Sequence, residues 1–299
     1  MVAGEAGMMI DRGSAASGVV CANTVAALRQ TIHTWRARSE TVALVPTMGA
    51  LHAGHLSLVE EARRRCDRVV VSIFVNPTQF GAGEDLAAYP RDQAADLARL
   101  AALGVDLAYL PDASEMYRPG ASTEVRVGGL GDGLCADFRP VHFTGVATVV
   151  AKLLLQCLPE IAIFGDKDYQ QLLVIRRLAI DLDIPVEVVG AATLREADGL
   201  AMSSRNVYLS AGARVIAGQL NRVMAETIEA LIGGAPVAET LARGRDKLGA
   251  AGFEAIYYYE LRDAETLAPL TTLDKPARLL AAVHVGGCRL IDNLAVEAI

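Results

Sequence analysis

The sequence of 299 residues lacks the features that identify several classes of protein. Its five cysteines, at positions 21, 66, 135, 157 and 288, form no CxxC pair, so we expect reduced thiols and a cytoplasmic protein. The longest apolar run, Val146 to Leu158, is interrupted by Lys152 and Gln156 and is too short to span a membrane. The net charge is −7 without a dense stretch of Lys and Arg, which argues against nucleic-acid binding.

Two common phosphate-binding motifs are also missing. No GxxxxGK[ST] occurs, which excludes a P-loop enzyme, and no GxGxxG follows the first predicted strand. The segment 128–133 is rich in glycine but has a different spacing and no predicted helix behind it. Any nucleotide must therefore be held in another way.

Strand and helix patterns alternate over residues 21–193, which we predict to form one domain. This alternation predicts an α/β fold with a mostly parallel sheet and helices on both faces. The predicted strands are Val42–Val45, Arg68–Val75, Val105–Leu110, Ile161–Phe164 and Val186–Val189, and the predicted helices are His55–Cys66, Asp92–Leu103, Val146–Leu158 and Asp168–Asp181.

The two ends of the chain differ from this pattern. Residues 1–20 are rich in Gly, Ala and Ser and have no basic start, so we predict a flexible extension and not a secretory signal. Residues 194–299 have predicted helices at 211–232 and 236–250, followed by predicted strands at 255–261 and 278–284. Segregated helices and strands predict a smaller α+β domain.

The segment 42–55 combines a buried strand, a turn of small residues and the start of a helix, with His52 and His55 on either side of Gly54. Unpaired backbone N–H groups and the helix dipole make such a turn an anion site. Two imidazoles there can donate hydrogen bonds to a phosphate whose charge grows during a reaction. A helix-capping histidine or a metal-binding pair are the alternatives.

Two further polar loops follow predicted strands. Asn76 and Gln79 can fix the hydroxyl and carboxylate groups of a small acid, although a plain turn also fits this sequence. Lys167 is a phosphate donor at a strand end, and Gln171 lies one helical turn beyond it, although an ordinary capped helix is the alternative. Ligands of parallel sheets bind beyond these strand ends.

A fourth polar segment lies where the two predicted domains join. Ser203, Ser204 and Arg205 offer hydroxyl and guanidinium donors to a triphosphate, and Gly199 could act as a hinge. A mobile loop over the nucleotide would exclude water from a reactive intermediate. A polar interdomain linker is the alternative.

Together these four segments, at 46–58, 73–81, 164–172 and 195–206, closely resemble the pantoate–β-alanine ligase family, and the similarity runs from about Val42 to about Ala295. His52–His55 resembles the HxGH signature of a wider nucleotidyltransferase superfamily with a Rossmann-like sheet, and Met202–Asn206 resembles its KMSKS loop. The resemblance implies ligation of pantoate to β-alanine through a pantoyl adenylate, with AMP and pyrophosphate as products, in pantothenate and coenzyme A biosynthesis. It also implies ATP with Mg²⁺, a homodimer and a C-terminal domain that acts as a lid.

The resemblance further implies roles for individual residues. Gln79 and Gln171 would bind pantoate, and His55 is favoured as the general acid. The residues that would act on the reacting phosphate are His52, His55, Lys167, Ser203, Ser204 and Arg205. The implied ATP site comprises Met48, Gly49, Ala50, Leu51, His52, Ala53, Gly54, His55, Gly165, Asp166, Lys167, Asp168, Leu194, Met202, Ser203, Ser204 and Arg205.

The sequence departs from the family pattern at two places. Asp166 stands where the family usually has Glu, and the predicted helix that contains Asp96 has fewer acidic residues than expected, so no protein ligand of Mg²⁺ is assigned. Three other functions stay open: a cytidylyl- or adenylyltransferase that leaves the nucleotide on its product, a non-catalytic binding protein with this fold, and a zinc hydrolase that uses His52 and His55.

Overall fold

The structure is a computed structural model that describes residues 18–84 and 86–297. Most of the extension predicted for residues 1–20 lies outside the described residues. Its predicted end is placed too late, because Val20 already begins the first strand and pairs with Leu107.

The larger sheet has six strands that all run parallel. They are β1 (Val20–Ala22), β2 (Val42–Thr47), β3 (Arg68–Ile73), β4 (Leu107–Tyr109), β5 (Ile161–Gly165) and β6 (Glu187–Ala191). Their order across the sheet is β1-β4-β3-β2-β5-β6, so β2 lies between β3 and β5 at the centre. The predicted parallel α/β sheet is confirmed.

Ten helices are described. They are α1 (Val25–Arg36), α2 (Ala53–Arg65), α3 (Gln93–Ala102), α4 (Ala113–Met116), α5 (Cys135–Phe138), α6 (His142–Cys157), α7 (Tyr169–Asp181), α8 (Ala211–Ala217), α9 (Gln219–Ile232) and α10 (Val237–Ala251). Short 3₁₀ turns lie at Pro77–Gln79, Asp166–Asp168 and Ser204–Tyr208. Among the described residues, no helix is both long enough and apolar enough to span a membrane.

Alternate residues of the central strands pack into two apolar layers, as burial on both faces of a parallel sheet requires. Val42 and Leu44 of β2 belong to the layer that contains residues of α1, α6 and α7. Ala43 and Val45 belong to the layer that contains residues of α2 and α3. The packing of helices on both faces of the sheet fixes the strand ends at which the polar loops begin.

The C-terminal part forms a second sheet of three antiparallel strands, β7 (Ala255–Asp263), β8 (Ala277–Val285) and β9 (Cys288–Val296). Helices α8, α9 and α10 share one apolar core with this sheet. Residues of its other face, including Tyr258 and Leu280, pack with Leu134 and Leu173 of the larger part. The predicted α+β region is confirmed, and it packs against α7 and the segment that contains Leu134.

Two helical regions differ from the predictions. Helix α1 is not predicted, although Thr24 caps it and Leu28, Ile32 and Trp35 are buried at helical spacing. The helix predicted at 211–232 is two helices that meet at Gly218. A Cβ at Gly218 would lie 2.7 Å from an oxygen of Asp198, so a side chain at this junction would require the Asp198 carboxylate to move.

Candidate functional site

Loops that follow β2, β3 and β5 meet at the carboxyl edge of the larger sheet and line a cleft of about 230 Å³. The segment 192–205 completes this cleft. The predicted site residues that line it are Met48, His52, Gly54, His55, Gln79, Gly165, Lys167, Asp168, Gln171, Leu194, Met202, Ser203, Ser204 and Arg205. The four polar segments therefore converge on one cavity.

His52 and His55 form a capping box at the start of α2. The Nδ1 atom of His52 accepts a hydrogen bond from the backbone N–H of Gly54 at 3.1 Å, and the N–H of His52 donates to Nδ1 of His55 at 3.3 Å. Both histidines therefore cap the start of α2, as the helix-capping alternative expects. Because each Nδ1 accepts, a neutral ring carries its proton on Nε2 and has one N–H left to donate.

Burial keeps both imidazoles neutral. It is the largest cause that lowers the pKa of His52 to about 4, and the nearby charge of Lys167 lowers it further. Burial, followed by the neighbouring His52 and Lys167, lowers the pKa of His55 to about 3. At neutral pH the pair consists of uncharged hydrogen-bond donors whose ring centroids lie 4.1 Å apart.

Gly54 lets the capping ring lie against the backbone. A Cβ at this position would lie 2.9 Å from Cε1 and from Nδ1 of His52, and 3.4 Å from Cβ of Met202. A side chain here would displace the ring that caps the helix. The glycine between the two histidines is thus required by the close approach of His52 and by the nearby segment 202–205.

The loop after β3 holds the amide of Gln79. Asn76 is 1% exposed and donates from Nδ2 to Oε1 of Gln79 and to the carbonyl oxygen of Gly145, both at 3.1 Å. Nε2 of Gln79 points to Sδ of Met48 at 3.2 Å. A Cβ at Gly145 would lie 2.6 Å from backbone atoms of Gln79, so α6 also fixes this loop. The Gln79 amide is therefore pre-oriented at the cleft.

The sequence prediction missed Arg139 and His142, which also line the cleft. Arg139 forms an ion pair with Glu84 at 2.5 Å, and His142 lies 3.2 Å from the carbonyl oxygen of Gln79. Burial, followed by the charge of Arg139, lowers the pKa of His142 to about 4. Residues 119–145 show no periodic pattern in the sequence, and α6 begins four residues before its predicted start at Val146.

The 3₁₀ turn Asp166–Asp168 places Lys167 and Asp168 at the cleft. Asn293 of β9 holds this turn, because its Nδ2 donates to the carbonyl oxygens of Asp166 and Lys167, both at 2.9 Å. The carboxylate of Asp168 is 47% exposed and lies 3.8 Å from Nζ of Lys167. This region therefore presents one cation and one carboxylate to the cavity.

The segment 194–206 is tied down at its base. The N–H of Met202 donates to the carbonyl oxygen of Leu194 at 3.0 Å, and Nδ2 of Asn206 donates to Glu196 at 2.7 Å. Its tip reaches across to the loop after β3, where the hydroxyl groups of Tyr89 and Ser204 lie 3.5 Å apart. The segment thus spans part of the cleft mouth.

Five residues assigned to ATP by resemblance do not line the cleft. Leu51 is buried in the apolar layer beneath α2 and α3. Asp166 is half-buried beside Gly190, and burial raises the pKa of its carboxyl group despite the charges of Arg278 and Arg176. The ATP assignment stays a prediction for the five: Gly49, Ala50, Leu51, Ala53 and Asp166.

Across residues 18–84 and 86–297, no group of three or more His, Cys, Asp or Glu side chains is arranged to hold a metal ion. The zinc-hydrolase alternative needs such a third ligand beside His52 and His55. The Nδ1 atoms of both histidines are also occupied by backbone donors. The geometry leaves each neutral ring one N–H donor, and both residues line the cleft.

A parallel sheet with a cleft beyond the carboxyl ends of its central strands defines an α/β protein with a site for a small ligand. The chain belongs to the pantoate-beta-alanine ligase family, because the sequence model of this family matches residues 20–295. The resemblance seen in the four polar segments is therefore confirmed, and the match begins about 20 residues before the predicted limit. The chain is a ligase of pantothenate biosynthesis.

Individual relatives agree with this assignment. A pantothenate synthetase of Paramagnetospirillum magneticum is 55% identical over 92% of this chain and 96% of its own length. The crystal structure of pantothenate synthetase from Thermus thermophilus has a TM-score of 0.87 at 49% identity and covers 92% of this chain and 98% of its own. A Francisella tularensis pantoate-beta-alanine ligase complexed with beta-gamma ATP and beta-alanine has a TM-score of 0.78 at 31% identity, covering 92% and 96%.

Proposed function

We propose that the chain joins pantoate to β-alanine in two steps through a pantoyl adenylate and releases pyrophosphate and then AMP. The convergence of the four polar segments on one cleft carries this proposal. The Francisella relative that binds a form of ATP and β-alanine supports the choice of substrates. The cleft has donors for a triphosphate beside the amides that suit a small hydroxy acid.

In the first step an oxygen of the pantoate carboxylate attacks the α-phosphorus of ATP, and the bond from this phosphorus to pyrophosphate breaks. A carboxylate is a competent nucleophile at neutral pH, so this step needs alignment and charge stabilisation more than a strong base. Lys167 supplies a positive charge, and Ser203, Ser204 and Arg205 supply further donors.

The histidines would stabilise the same phosphate as neutral donors. Because burial lowers the pKa of His55 to about 3, its imidazole is not protonated at neutral pH in the free protein. The predicted role of His55 as a general acid therefore gives way in this proposal to hydrogen bonding from Nε2–H. A neutral imidazole donor adds no charge that would hold pyrophosphate after the reaction.

Gln79 and Gln171 line the same cleft and are proposed to bind pantoate. Asn76 orients the Gln79 amide, and Arg139 together with His142 hold the backbone carbonyl of Gln79. Because the donor and acceptor of a fixed amide point in set directions, the amide can select a hydroxy acid whose polar groups match them. We propose that the acid lies beside Met48 and the start of α2, because Nε2 of Gln79 lies 3.2 Å from Sδ of Met48.

Mg²⁺ is proposed to accompany ATP, because this ion needs only one or two protein carboxylates when phosphate oxygens complete its coordination. The half-exposed Asp168 at the cleft fits this need. When bound, the ion would neutralise phosphate charge. The turn that carries Asp168 also holds Lys167, so both side chains act on the same phosphates.

In the second step the amine of β-alanine attacks the acyl carbon of the adenylate. The bond between this carbon and the bridging oxygen breaks, and AMP leaves with that oxygen while the amine loses a proton. An acyl adenylate is also hydrolysed by water, so the segment 194–206 is proposed to cover it. Movement of the C-terminal part as a lid stays a prediction.

Isotope transfer tests the proposed route. Pantoate labelled with ¹⁸O in its carboxylate, incubated with ATP, Mg²⁺ and β-alanine, should yield pantothenate and AMP that carries one ¹⁸O atom, measured by mass spectrometry. Label in inorganic phosphate together with ADP would show an acyl phosphate instead. A product that keeps the nucleotide would support the nucleotidyltransferase alternative, and no turnover would support a binding protein.

The predicted homodimer and cytoplasmic location are also part of the proposal. Exposed apolar side chains lie near the C-terminal ends of the neighbouring helices α6 and α7, namely Leu155, Leu158, Ile180 and Leu182. We propose that these exposed side chains contribute to a surface covered by another copy. Light scattering during size-exclusion chromatography should give twice the mass of 31.6 kDa, and cell fractionation tests the location.

A further inference from the structure

The turn between β2 and α2 has an unusual backbone. Gly49 has φ of 79° and Ala50 has φ of 49°, so both residues lie in the left-handed region. Alanine adopts this conformation only when the surroundings hold it there. The turn directly precedes His52, and its first residue, Met48, lines the cleft.

Asp96 holds this turn from a distant helix. Its Oδ2 accepts a hydrogen bond from the N–H of Ala50 at 2.9 Å, and its Oδ1 accepts from the N–H of Leu51 at 2.8 Å. Asp96 is only 1% exposed and lies in the first turn of α3. A Cβ at Gly49 would lie 3.0 Å from Oδ2, so the glycine lets the carboxylate approach.

We propose that Asp96 is a positioning residue for adenylate formation, an inference that rests on the proposed function. Its carboxylate fixes the left-handed turn so that Met48 and His52 face the cleft. Asp96 itself does not line the cleft, and both its oxygens accept from the turn. Its role is therefore to shape the wall of the cleft formed by residues 48–55, and it is not a ligand of Mg²⁺.

Asp96→Asn tests this role with a nearly isosteric change. The amide keeps one oxygen for one backbone donor, but its NH₂ group faces the other N–H, so one charge-assisted bond becomes a repulsive contact. We expect kcat/KM for ATP to fall about tenfold or more in pantoate-dependent exchange between pyrophosphate and ATP. The pantoate KM and the Mg²⁺ concentration for half-maximal exchange should change less than about twofold.

Asp92→Asn is the matched control. Asp92 lies one helical turn away at the N-terminal cap of α3 and accepts from the N–H of Ala95 at 3.0 Å. The Asp92→Asn substitution removes the same charge from the same end of α3, but Asp92 does not contact the turn. Exchange kinetics of this variant should match the unchanged protein, which separates positioning from a general effect on α3.

A spectroscopic measurement does not depend on the reaction. In NMR spectra, Asp96→Asn should shift the ring resonances of His52 and His55, and Asp92→Asn should not. In the unchanged protein, the amide protons of Ala50 and Leu51 should exchange slowly with solvent, and this measurement does not require any variant to fold.

Three results would overturn the proposal. They are equal kinetics and equal ring shifts in both variants, rapid exchange of these two amide protons, or a large rise in the Mg²⁺ requirement of Asp96→Asn. Absence of pantoate-dependent exchange in the unchanged protein, with the ring shifts present, would instead overturn the proposed function alone.

Discussion

Two walls of the cleft are held by different kinds of contact. The histidine wall, residues 48–55, is fixed by its own capping box between His52 and His55 and by the carboxylate of Asp96 on α3. The lysine wall, residues 165–168, is fixed by Asn293, which is more than 120 residues away in the sequence. One wall thus depends on contacts within the part of the chain that forms the parallel sheet, and the other depends on the packing of the C-terminal sheet.

The C-terminal contact is itself supported by a charged pair. Arg195 donates to both oxygens of Asp292 at 2.7 and 2.9 Å, and Oδ1 of Asp292 accepts from the N–H of Asn293. Arg278 donates to Oδ1 of Asn293 at 2.6 Å and stacks on Tyr169. Because Asp292 and Asn293 are neighbours on β9, the small sheet links the lysine wall to the segment 194–206, which contains Arg195.

The largest effect is expected at the histidine wall. His55→Ala removes a donor to the reacting phosphate and one half of the capping box, so pantoate-dependent exchange between pyrophosphate and ATP should fall by about 10²-fold or more. Circular dichroism should remain that of the unchanged protein, because only one end of α2 is altered. Unchanged exchange in a folded variant would remove His55 from the proposed mechanism.

Asn293→Asp tests the lysine wall without changing its volume. A carboxylate cannot donate to the carbonyl oxygens of Asp166 and Lys167, and an unmade buried hydrogen bond costs about 1–3 kcal/mol. We expect kcat/KM for ATP to fall about tenfold, measured by the same exchange.

Arg262→Gln is the control for the small sheet, since Arg262 pairs with Glu260 on β7 and does not line the cleft. It should leave exchange unchanged. Equal losses in both variants would mean that the small sheet acts only through its stability, and the comparison of the two walls would lose its basis.

Gly54→Ala gives a smaller effect at the histidine wall. The added Cβ would lie 2.9 Å from the His52 ring and should push it from its capping position. We expect the KM for ATP to rise several-fold and the free energy of unfolding to fall by about 1 kcal/mol, as for a lost helix cap. A crystal structure or NMR spectrum with an unmoved His52 ring would contradict this explanation of the glycine.

The polar segments of both walls are visible in the sequence because each follows an apolar strand and contains residue types suited to phosphate. The capping box spans only four residues, so His52 and His55 can be interpreted locally. Asn293 and Asp96 cannot be assigned in this way, because their partners are backbone groups far away in the sequence. Arg139 and His142 lie in a segment without a periodic pattern, so the sequence does not identify them as site residues. Helix α1 is not predicted, although its buried residues have helical spacing.

The last expected effect concerns the pH dependence of stability and not catalysis. Because the pKa values of His52 and His55 are lowered from 6.5 to about 4 and 3, the unfolded chain binds more protons than the folded one below pH 6.5. The free energy of unfolding should therefore fall as the pH drops from about 6.5 towards 4, and it should not change through these groups above pH 7.

Denaturant unfolding at pH 5 and pH 7.5 measures this effect. The double variant His52→Gln, His55→Gln should lose less stability between the two pH values than the unchanged protein. His142 has a lowered pKa for the same reason and remains in both proteins, so the difference isolates the pair. An identical pH dependence would show that the two imidazoles are protonated freely in the fold.

Exchange of labelled pyrophosphate into ATP, measured with pantoate and without β-alanine, tests most directly whether both walls act on one triphosphate beside one acid. The account predicts exchange that requires pantoate and Mg²⁺, disappears in His55→Ala and is weakened in Asn293→Asp. Exchange that needs β-alanine, or that proceeds equally well without pantoate, would contradict an adenylate formed in this cleft.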